Sequence, residues 1–332
     1  RTYALDRLPP ADTGPLLAAL VGAAAVFALG VWDDVRGLAP QTKFTVEVVV
    51  SVVVFTAGVR IGGFGLPGGE HFQLPYIADL AITVLWLVGI TNAFNLVDGS
   101  DGVAGGAAIF ASATVAMVSI FNGNEFAALL ALTLAGATLG FLFFNFPPAS
   151  IFLGDGGALF LGFTLASLGL LSAQKATTAV AVAIPVVSFG LPILDTLLAM
   201  GRRFVKGEPV FNADRGHIHH RLRDLGHSPR KVALLLYAAC GAFALLSLVF
   251  VQPTETSVTV ALVVAGAVLW LSIQRLHIPE LLEVQRIVDR SLRQRSVIAN
   301  NVRIREAANL IKWAETPEDV VEALAHAFVS DE

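Results

Sequence analysis

The stretch from residue 92 to residue 106 reads NAFNLVDGSDGVAGG and follows an apolar run long enough to cross a bilayer. It presents Asp98 and Asp101 three residues apart, each followed by glycine. Carboxylates on a flexible backbone suit Mg²⁺, which takes one or two of them together with water and substrate phosphate oxygens. The glycines let backbone N–H groups approach a phosphate. The pattern predicts a metal and phosphate site, although Asp-Gly also occurs in ordinary turns.

A second glycine-rich segment strengthens the metal interpretation. NFPPASIFLGDGGALFLG places Asp155 between glycines at the start of another apolar run. A third carboxylate on the same side of the membrane favours a shared site over three unrelated turns. Two amide side chains of these segments, Asn92 and Asn145, are candidate substrate-binding residues.

The segment WDDVRGLAPQTK places two adjacent acids, Asp33 and Asp34, at the end of an earlier apolar run. Acids at such ends are functional or are solvated helix caps, and the sequence leaves both interpretations open. Lys43 lies close enough along the chain to reach a phosphate, or it pairs with Glu47 four residues later on one helix face.

The fourth polar segment, DRGHIHHRL, combines three histidines with flanking arginines. Imidazoles are common zinc ligands, but neither a Cys nor an HExxH pattern accompanies them, and neighbouring cations oppose zinc binding. Arginine suits bidentate recognition of phosphate. Anion recognition is therefore favoured over zinc for a set consisting of Arg215, His217, His219, His220 and Arg221.

Composition decides which kind of element must position these residues. Of the 332 residues 55% are hydrophobic and 14% are charged, and the mean hydropathy is +0.71. Soluble domains average about 45–50% apolar and about 25% charged residues, so the chain is an integral membrane protein. The single Cys240 excludes a disulfide framework. Runs such as AVAVAIPVVSFGLPIL do not alternate, which argues against a β-barrel and predicts an all-α, polytopic helical bundle.

About nine segments have the length and apolarity of spanning helices. Their approximate ranges are 15–32, 43–61, 76–97, 103–121, 126–146, 157–172, 176–200, 231–251 and 256–274. The loop before residue 231 and the chain after residue 274 are rich in Arg and Lys, which predicts a cytoplasmic location for both. Alternation from there places all four polar segments on the cytoplasmic face.

The chain is predicted to have two parts. Residues 1–274 form the transmembrane domain, and residues 275–332 form a cytoplasmic helical extension with apolar residues at helical spacing. Thr316 and Pro317 have the types and positions of a helix start. Asp195 lies in an apolar run near its cytoplasmic end, and the sequence leaves open whether it is functional or a hydrogen-bond hub.

The three segments NAFNLVDGSDGVAGG, IFLGDGGALFLG and DRGHIHHRL, in this order and with DD upstream, resemble the polyprenyl-phosphate N-acetylhexosamine-1-phosphate transferases. The resemblance covers roughly residues 15–275, and its H-x-H-H-R-L form resembles the GlcNAc-1-phosphate branch. It implies transfer of GlcNAc-1-phosphate from UDP-GlcNAc to polyprenyl phosphate with release of UMP, initiating a lipid-linked cell-envelope polysaccharide. It also implies a multi-pass protein of the bacterial inner membrane, with Mg²⁺ as cofactor and Mn²⁺ as an alternative.

The resemblance also implies roles for individual residues. Asp155 and Asp98 match metal-site acids, and Asp33, Asp34 and Asp101 match acids of the catalytic segments. Asn95 resembles a nucleotide-pocket residue, and the histidines match a motif that contacts the diphosphate or sugar. The expected partners are UDP-GlcNAc, polyprenyl phosphate and the bilayer, without nucleic acid; a homodimer is left open.

Two departures and three alternatives accompany the resemblance. Ala158 stands where the family has Ser, and the first two family helices with their basic motif are absent, which leads us to expect an N-terminal truncation. The alternatives are a phospho-MurNAc-pentapeptide transferase-like enzyme, an ion-coupled transporter and a CDP-alcohol phosphotransferase. The last would need a DGxxAR run, which GVAGGAAIF does not supply.

Overall fold

The computed structural model describes residues 10–65, 71–173, 180–206 and 217–249, with isolated positions beyond them. Most described residues are helical, because a chain in lipid must satisfy its backbone N–H and C=O groups internally. The first elements are α1 (Pro10–Arg36), α2 (Pro40–Thr56), β1 (Gly63–Gly65), β2 (His71–Gln73), α3 (Tyr76–Val97) and α4 (Val103–Phe121). The remaining elements are α5 (Glu125–Asn145), α6 (Gly154–Ala173), α7 (Val180–Ser188), α8 (Gly190–Lys206), α9 (Ile218–Asp224) and α10 (Pro229–Leu248).

The prediction of a polytopic helical membrane protein is confirmed. Within the described ranges, six helices are long and apolar enough to cross a membrane. They are α1, α3, α4, α5, α6 and α10. Three of the nine predicted spans are not among these six helices: 43–61 and 176–200 form shorter helices, and 256–274 lies almost entirely outside the described residues. The number of nine therefore stays a prediction.

Two predicted segments differ in the structure. The segment 43–61 forms α2, which begins at Pro40 and ends at Thr56, and a short antiparallel hairpin, β1–β2, follows it. The hairpin pairs Phe64 with Phe72 and was not predicted. The segment 176–200 is divided into α7 and α8 at Phe189, because proline residues on both sides of this point remove helical N–H donors.

The bundle is built around α4 and α6, which are buried along most of their length, while α5 exposes large apolar side chains in the manner of a lipid-facing helix. Small residues allow close helix packing. A Cβ added to Gly162 of α6 would lie 2.8 Å from Thr91 Cα in α3, and one added to Gly30 of α1 would lie 2.5 Å from Gly156 Cα. These contacts bring the ends of α1, α3 and α6 together.

The chain divides into two compact units, Arg1–Ser272 and Ile273–Glu332. The first contains every element given above. The predicted cytoplasmic helical extension belongs to the second unit and lies almost entirely outside the described residues.

Candidate active site

Asp34 joins α1 to the first turn of α6. Its Oδ1 accepts a hydrogen bond from the Asp155 backbone N–H at 2.9 Å, and its Oδ2 accepts one from Gly156 N–H at 3.0 Å. A carboxylate at a helix N-terminus satisfies free N–H donors and complements the helix dipole. Gly154 has a left-handed φ of 66°, and a Cβ there would lie 2.7 Å from Asp34 Oδ2. This contact therefore fixes the turn that carries Asp155.

Lys43 links two of the predicted acids. Its ammonium donates to Asp33 Oδ2 at 2.6 Å and also contacts Asp155 Oδ2. The other carboxylate oxygen of Asp33 accepts from Leu38 N–H. Lys43 does not reach Glu47, whose carboxylate instead accepts from the Asn92 side chain. The ammonium thus stands between carboxylates of α1 and α6, where a phosphate oxygen would find a positive charge.

Asp98 ends α3 beside the same group of acids. Burial is the main reason why its pKa is raised from the ordinary value of 3.8 to about 7, and nearby negative charges act in the same direction. These neighbours are Asp155, Asp34 and Asp101. Mutual repulsion of this kind is relieved when a cation binds between the carboxylates.

Asn95 lies one helical turn before Asp98 and close to Asp155. Its buried Nδ2 makes no hydrogen bond of good geometry among the described residues, and the side chain lies near enough to the Asp155 carboxylate to stabilise its negative charge. A buried donor that is left unpaired is costly, so this amide is available to a bound ligand.

Asp101 and Asn145 tie two loops together. Asp101 Oδ2 accepts from Ala149 N–H at 3.1 Å. The Asn145 amide accepts from Gly102 N–H and donates to Ile151 C=O, each at 2.9 Å, and the residue is only 2% exposed. Tyr237 of α10 donates to Gly102 C=O at 2.8 Å. These bonds hold the Asp98 loop in place, while the predicted catalytic role of Asp101 and substrate-binding role of Asn145 stay predictions.

The histidine segment forms the start of α9. His219 is 2% exposed, and its ring lies against the Asp98–Asp101 loop, since a Cβ added to Gly99 would be 3.2 Å from His219 Nε2. Burial, assisted by the charge of His220, lowers the pKa of His219 from 6.5 to about 4, so this imidazole is neutral at physiological pH. Arg221 belongs to α9, and Arg215 lies outside the described residues.

The acids fit a cation that is shared with substrate and do not form a closed protein cage. Across the described ranges, no three His, Cys, Asp or Glu side chains are arranged to hold a metal by themselves. Mg²⁺ needs only one or two carboxylates when phosphate oxygens complete its shell. Asp98 and Asp155, whose charges act on each other, are two carboxylates of the chemical type that such an ion takes.

Comparison with known proteins supports the predicted family. Residues 16–173 match the model of glycosyl transferase family 4. A probable undecaprenyl-phosphate N-acetylglucosaminyl 1-phosphate transferase of Bacillus subtilis is 38% identical over 240 residues, which cover 72% of this chain and 67% of the relative. The decaprenyl-phosphate N-acetylglucosaminephosphotransferase of Mycobacterium tuberculosis is 35% identical over 274 residues, which cover 75% of this chain and 68% of the relative. The chain belongs to glycosyl transferase family 4.

A more distant relative of the family 4 chain is the undecaprenyl-phosphate alpha-N-acetylglucosaminyl 1-phosphate transferase of Escherichia coli. It is 27% identical over 223 residues, which cover 65% of this chain and 60% of the relative. The resemblance inferred from the motifs, including the GlcNAc-1-phosphate branch, is therefore confirmed. The family model spans the acidic segments and ends before the histidines of α9.

Two buried acids of this family 4 chain were not assigned a role from the sequence. Glu47, 1% exposed, accepts from Asn92 of α3, and its Oε1 has no partner within the part of the chain that the structure describes. Asp195, 4% exposed, binds the start of α9. An acid within an otherwise apolar run was the available signal for both, but the sequence does not show which helix each one faces.

Proposed function

We propose that this protein transfers GlcNAc-1-phosphate from UDP-GlcNAc to a polyprenyl phosphate and releases UMP. The observation that carries the proposal is the meeting of acids, an ammonium and a buried imidazole from distant segments at one end of the bundle. Both substrates are phosphates, one soluble and one held in the bilayer. A site at helix ends, rather than at mid-membrane, is where they can meet.

The reaction needs one bond made and one broken. An oxygen of the lipid phosphate attacks the phosphorus that carries the sugar, and the bond from that phosphorus to the UMP oxygen breaks. A phosphate monoester has a second pKa of about 6, so at neutral pH the nucleophile already carries most of its negative charge. The protein's main task is therefore to hold two anions together and to stabilise the charge that develops.

Each residue contributes through its chemistry. Lys43 supplies positive charge between Asp33 and Asp155. Asp155 and Asp98 would hold Mg²⁺, or Mn²⁺ in its place, and the ion would neutralise charge on the diphosphate. The Asn95 amide, which lies beside Asp155, and the His219 ring, whose Nε2 has no partner among the described residues, suit hydrogen bonds to the nucleotide and its diphosphate. Asp34 acts on the reaction by fixing the turn that bears Asp155.

The site is proposed to face the cytoplasm of a bacterial inner membrane. The segment between α8 and α10 is rich in Arg and Lys, and such segments stay on the cytoplasmic side. UDP-sugars are soluble cytoplasmic metabolites in this scheme, so the orientation and the substrate agree. Formation of this lipid-linked GlcNAc would be the first step in the synthesis of a cell-envelope polysaccharide.

The test uses the full-length protein in detergent with UDP-GlcNAc, undecaprenyl phosphate and Mg²⁺. Asp155→Asn keeps the backbone contacts to Asp34 but removes a charge, and we expect UMP release to fall by about 10³-fold or more. Asp79→Asn, a buried acid on another part of α3, is the matched control and should stay near wild type. Activity retained by Asp155→Asn would refute the metal assignment.

The transporter alternative makes a different prediction. It requires movement of a substrate into sealed liposomes without nucleotide turnover, and coupled transporters carry their ion sites near the bilayer midplane. Here the acids lie at helix ends. A panel of UDP-sugars, including UDP-GalNAc and UDP-MurNAc-pentapeptide, distinguishes the GlcNAc branch from the phospho-MurNAc-pentapeptide branch.

A further inference from the structure

Asp195 of α8 takes no part in the reaction outlined above, although it is 4% exposed and both of its carboxylate oxygens are engaged. Oδ1 accepts a hydrogen bond from the Ile218 backbone N–H at 2.9 Å, and Oδ2 lies 3.0 Å from Nδ1 of His217. One buried carboxylate therefore holds both the first residue of α9 and the histidine that precedes it.

The contact with His217 determines how that ring is oriented. A carboxylate only accepts hydrogen bonds, so Nδ1 of His217 is the protonated ring nitrogen and donates its hydrogen bond to Asp195. This contact determines the tautomer of the His217 ring. His217 is itself 4% exposed, and its ring stacks on the His219 ring with a centroid separation of 5.8 Å and an interplanar angle of 5°. By orienting the His217 ring, Asp195 also restricts the position of the His219 ring that stacks on it.

His219 presents an unpaired nitrogen to the acidic loop. Its Nε2 is buried without a hydrogen-bond partner among the residues described here, and it is directed at Gly99, between Asp98 and Asp101. A fully buried polar atom normally has a partner, and one that lacks it costs free energy until a ligand supplies it. A phosphate oxygen has the chemistry of such a ligand, because the glycines of this loop are predicted from the sequence to let backbone N–H groups approach a phosphate.

We propose that Asp195 is a positioning residue for the nucleotide-sugar diphosphate. It acts through His217 to hold His219 against the Asp98–Asp101 loop, so that Nε2 faces the donor substrate without Asp195 touching it. The inference rests on the proposed function, since it names the part of the donor that this end of the site binds. It assigns no role to Asp195 toward the lipid phosphate.

The experiment measures kinetic constants for the two substrates separately, in the full-length protein. Asp195→Asn keeps the size of the side chain but can accept only one of the two bonds. We expect the KM for UDP-GlcNAc to rise about tenfold, while the KM for undecaprenyl phosphate changes by less than about twofold. Asp195→Glu retains an acceptor and should recover part of the donor affinity.

The control variant is Asp79→Asn. Asp79 is also a buried acid, 3% exposed, that accepts from a backbone N–H and a second donor, but its partners belong to Gly62 and Thr83. A general loss of stability would affect both variants alike. A change of the donor KM confined to Asp195→Asn would support positioning, and equal KM values in the two variants would overturn it.

A double substitution tests whether Asp195 acts through His217. His217→Ala alone should raise the donor KM, and adding it to Asp195→Asn should cause little further change, because both remove the same interaction. Losses that multiply would show that the two residues act independently and would contradict the proposal. If Asp195→Asn does not fold, His217→Ala carries the test, and an unchanged donor KM in that variant overturns the inference.

Calorimetric titration with UDP-GlcNAc separates this inference from the proposed function. A wild-type protein that binds UDP-GlcNAc but releases no UMP would refute the transferase reaction, while the effect of Asp195→Asn on affinity would still be measurable. A wild-type protein with full turnover, together with an Asp195→Asn variant that binds the donor equally well, would leave the reaction standing and remove the positioning role.

Discussion

The two ends of the helical bundle use the same polar residue types in opposite ways. At one end, Asp79 accepts from Gly62 N–H at 2.9 Å and from the Thr83 hydroxyl, and the amide of Asn122 donates to Ser172 C=O at 2.8 Å. Each of these groups completes the hydrogen bonding of a turn or helix end. At the other end, burial and neighbouring carboxylates raise the pKa of Asp98, and Nε2 of His219 is buried with no partner among the described residues.

The difference separates stability from function. Polar groups that complete one another stabilise the fold, whereas crowded charges and unpaired donors lower stability until a ligand arrives. A site that must hold a cation and two phosphates cannot satisfy its own polar groups in advance. Substitutions at the two ends should therefore have unequal effects on turnover, and removing the charge of Asp98 should raise stability whereas removing the charge of Asp79 should lower it.

Lys43→Ala should give the largest effect within this comparison. It removes the ammonium between Asp33 and Asp155 and leaves two partly buried carboxylates facing each other. We expect UMP release to fall by about 10²-fold or more, because a charge aimed at the reacting phosphates is lost. The unfolding temperature should also fall, since carboxylates that lose their partner repel each other. Lys43→Arg, which keeps the charge, is the control, and full activity in Lys43→Ala would remove this residue from the site.

Asp98→Asn should stabilise the metal-free protein while reducing turnover. A carboxyl with a pKa of about 7 in the folded chain and about 4 in the unfolded chain lowers stability as pH rises between these values. The amide cannot ionise, so the gain should be on the order of a few kcal/mol at pH 8 and negligible near pH 4. Thermal unfolding in EDTA at both pH values measures the difference. Equal unfolding temperatures of variant and wild type at pH 8 would contradict the raised pKa of Asp98.

Asp79→Asn should give the smallest effect on activity and an ordinary loss of stability. Both hydrogen bonds to Asp79 are accepted by Oδ1, and the neutral amide oxygen of Asn accepts them less strongly than a carboxylate does, so we expect a loss of about 1–2 kcal/mol in the free energy of unfolding. Kinetic constants for both substrates should stay within about twofold of wild type, since distant sites act independently. A large drop in turnover without unfolding would show that the two ends of the bundle are coupled. The assignment of one end to stability and the other to function would then be wrong.

The sequence predicted the features that depend on composition and spacing. Apolar runs specified the membrane helices, and the glycine-flanked acids Asp98 and Asp155 stood out because few other chemistries need that pattern. The interruption at Phe189 was missed because apolarity continues across it, and only the prolines indicated a break. The β1–β2 hairpin was missed because its strands have three residues each, too few to show a period.

Pairings between helices were beyond the reach of the sequence. Lys43 has an acid four residues away, yet it binds Asp33 and Asp155, and Glu47 faces Asn92 instead. Which face of α2 meets which helix is decided by packing, and that depends on the whole bundle. The same reasoning explains why Asp195 could not be assigned, because its partner His217 lies 22 residues further along the chain.

The contact between Tyr237 and the loop that bears Asp98 bears on the order in which the site can form during synthesis. It secures the carbonyl of Gly102 from 135 residues further along the chain, and its ring occupies the space that a side chain at position 106 would need. The loop that bears Asp98 is therefore synthesised long before Tyr237, the residue that hydrogen-bonds to it. The Asp98 loop can reach its final position only after α10 has been inserted into the membrane. A nascent chain halted before this helix would contain every acid of the site but would lack the hydrogen bond that Tyr237 supplies.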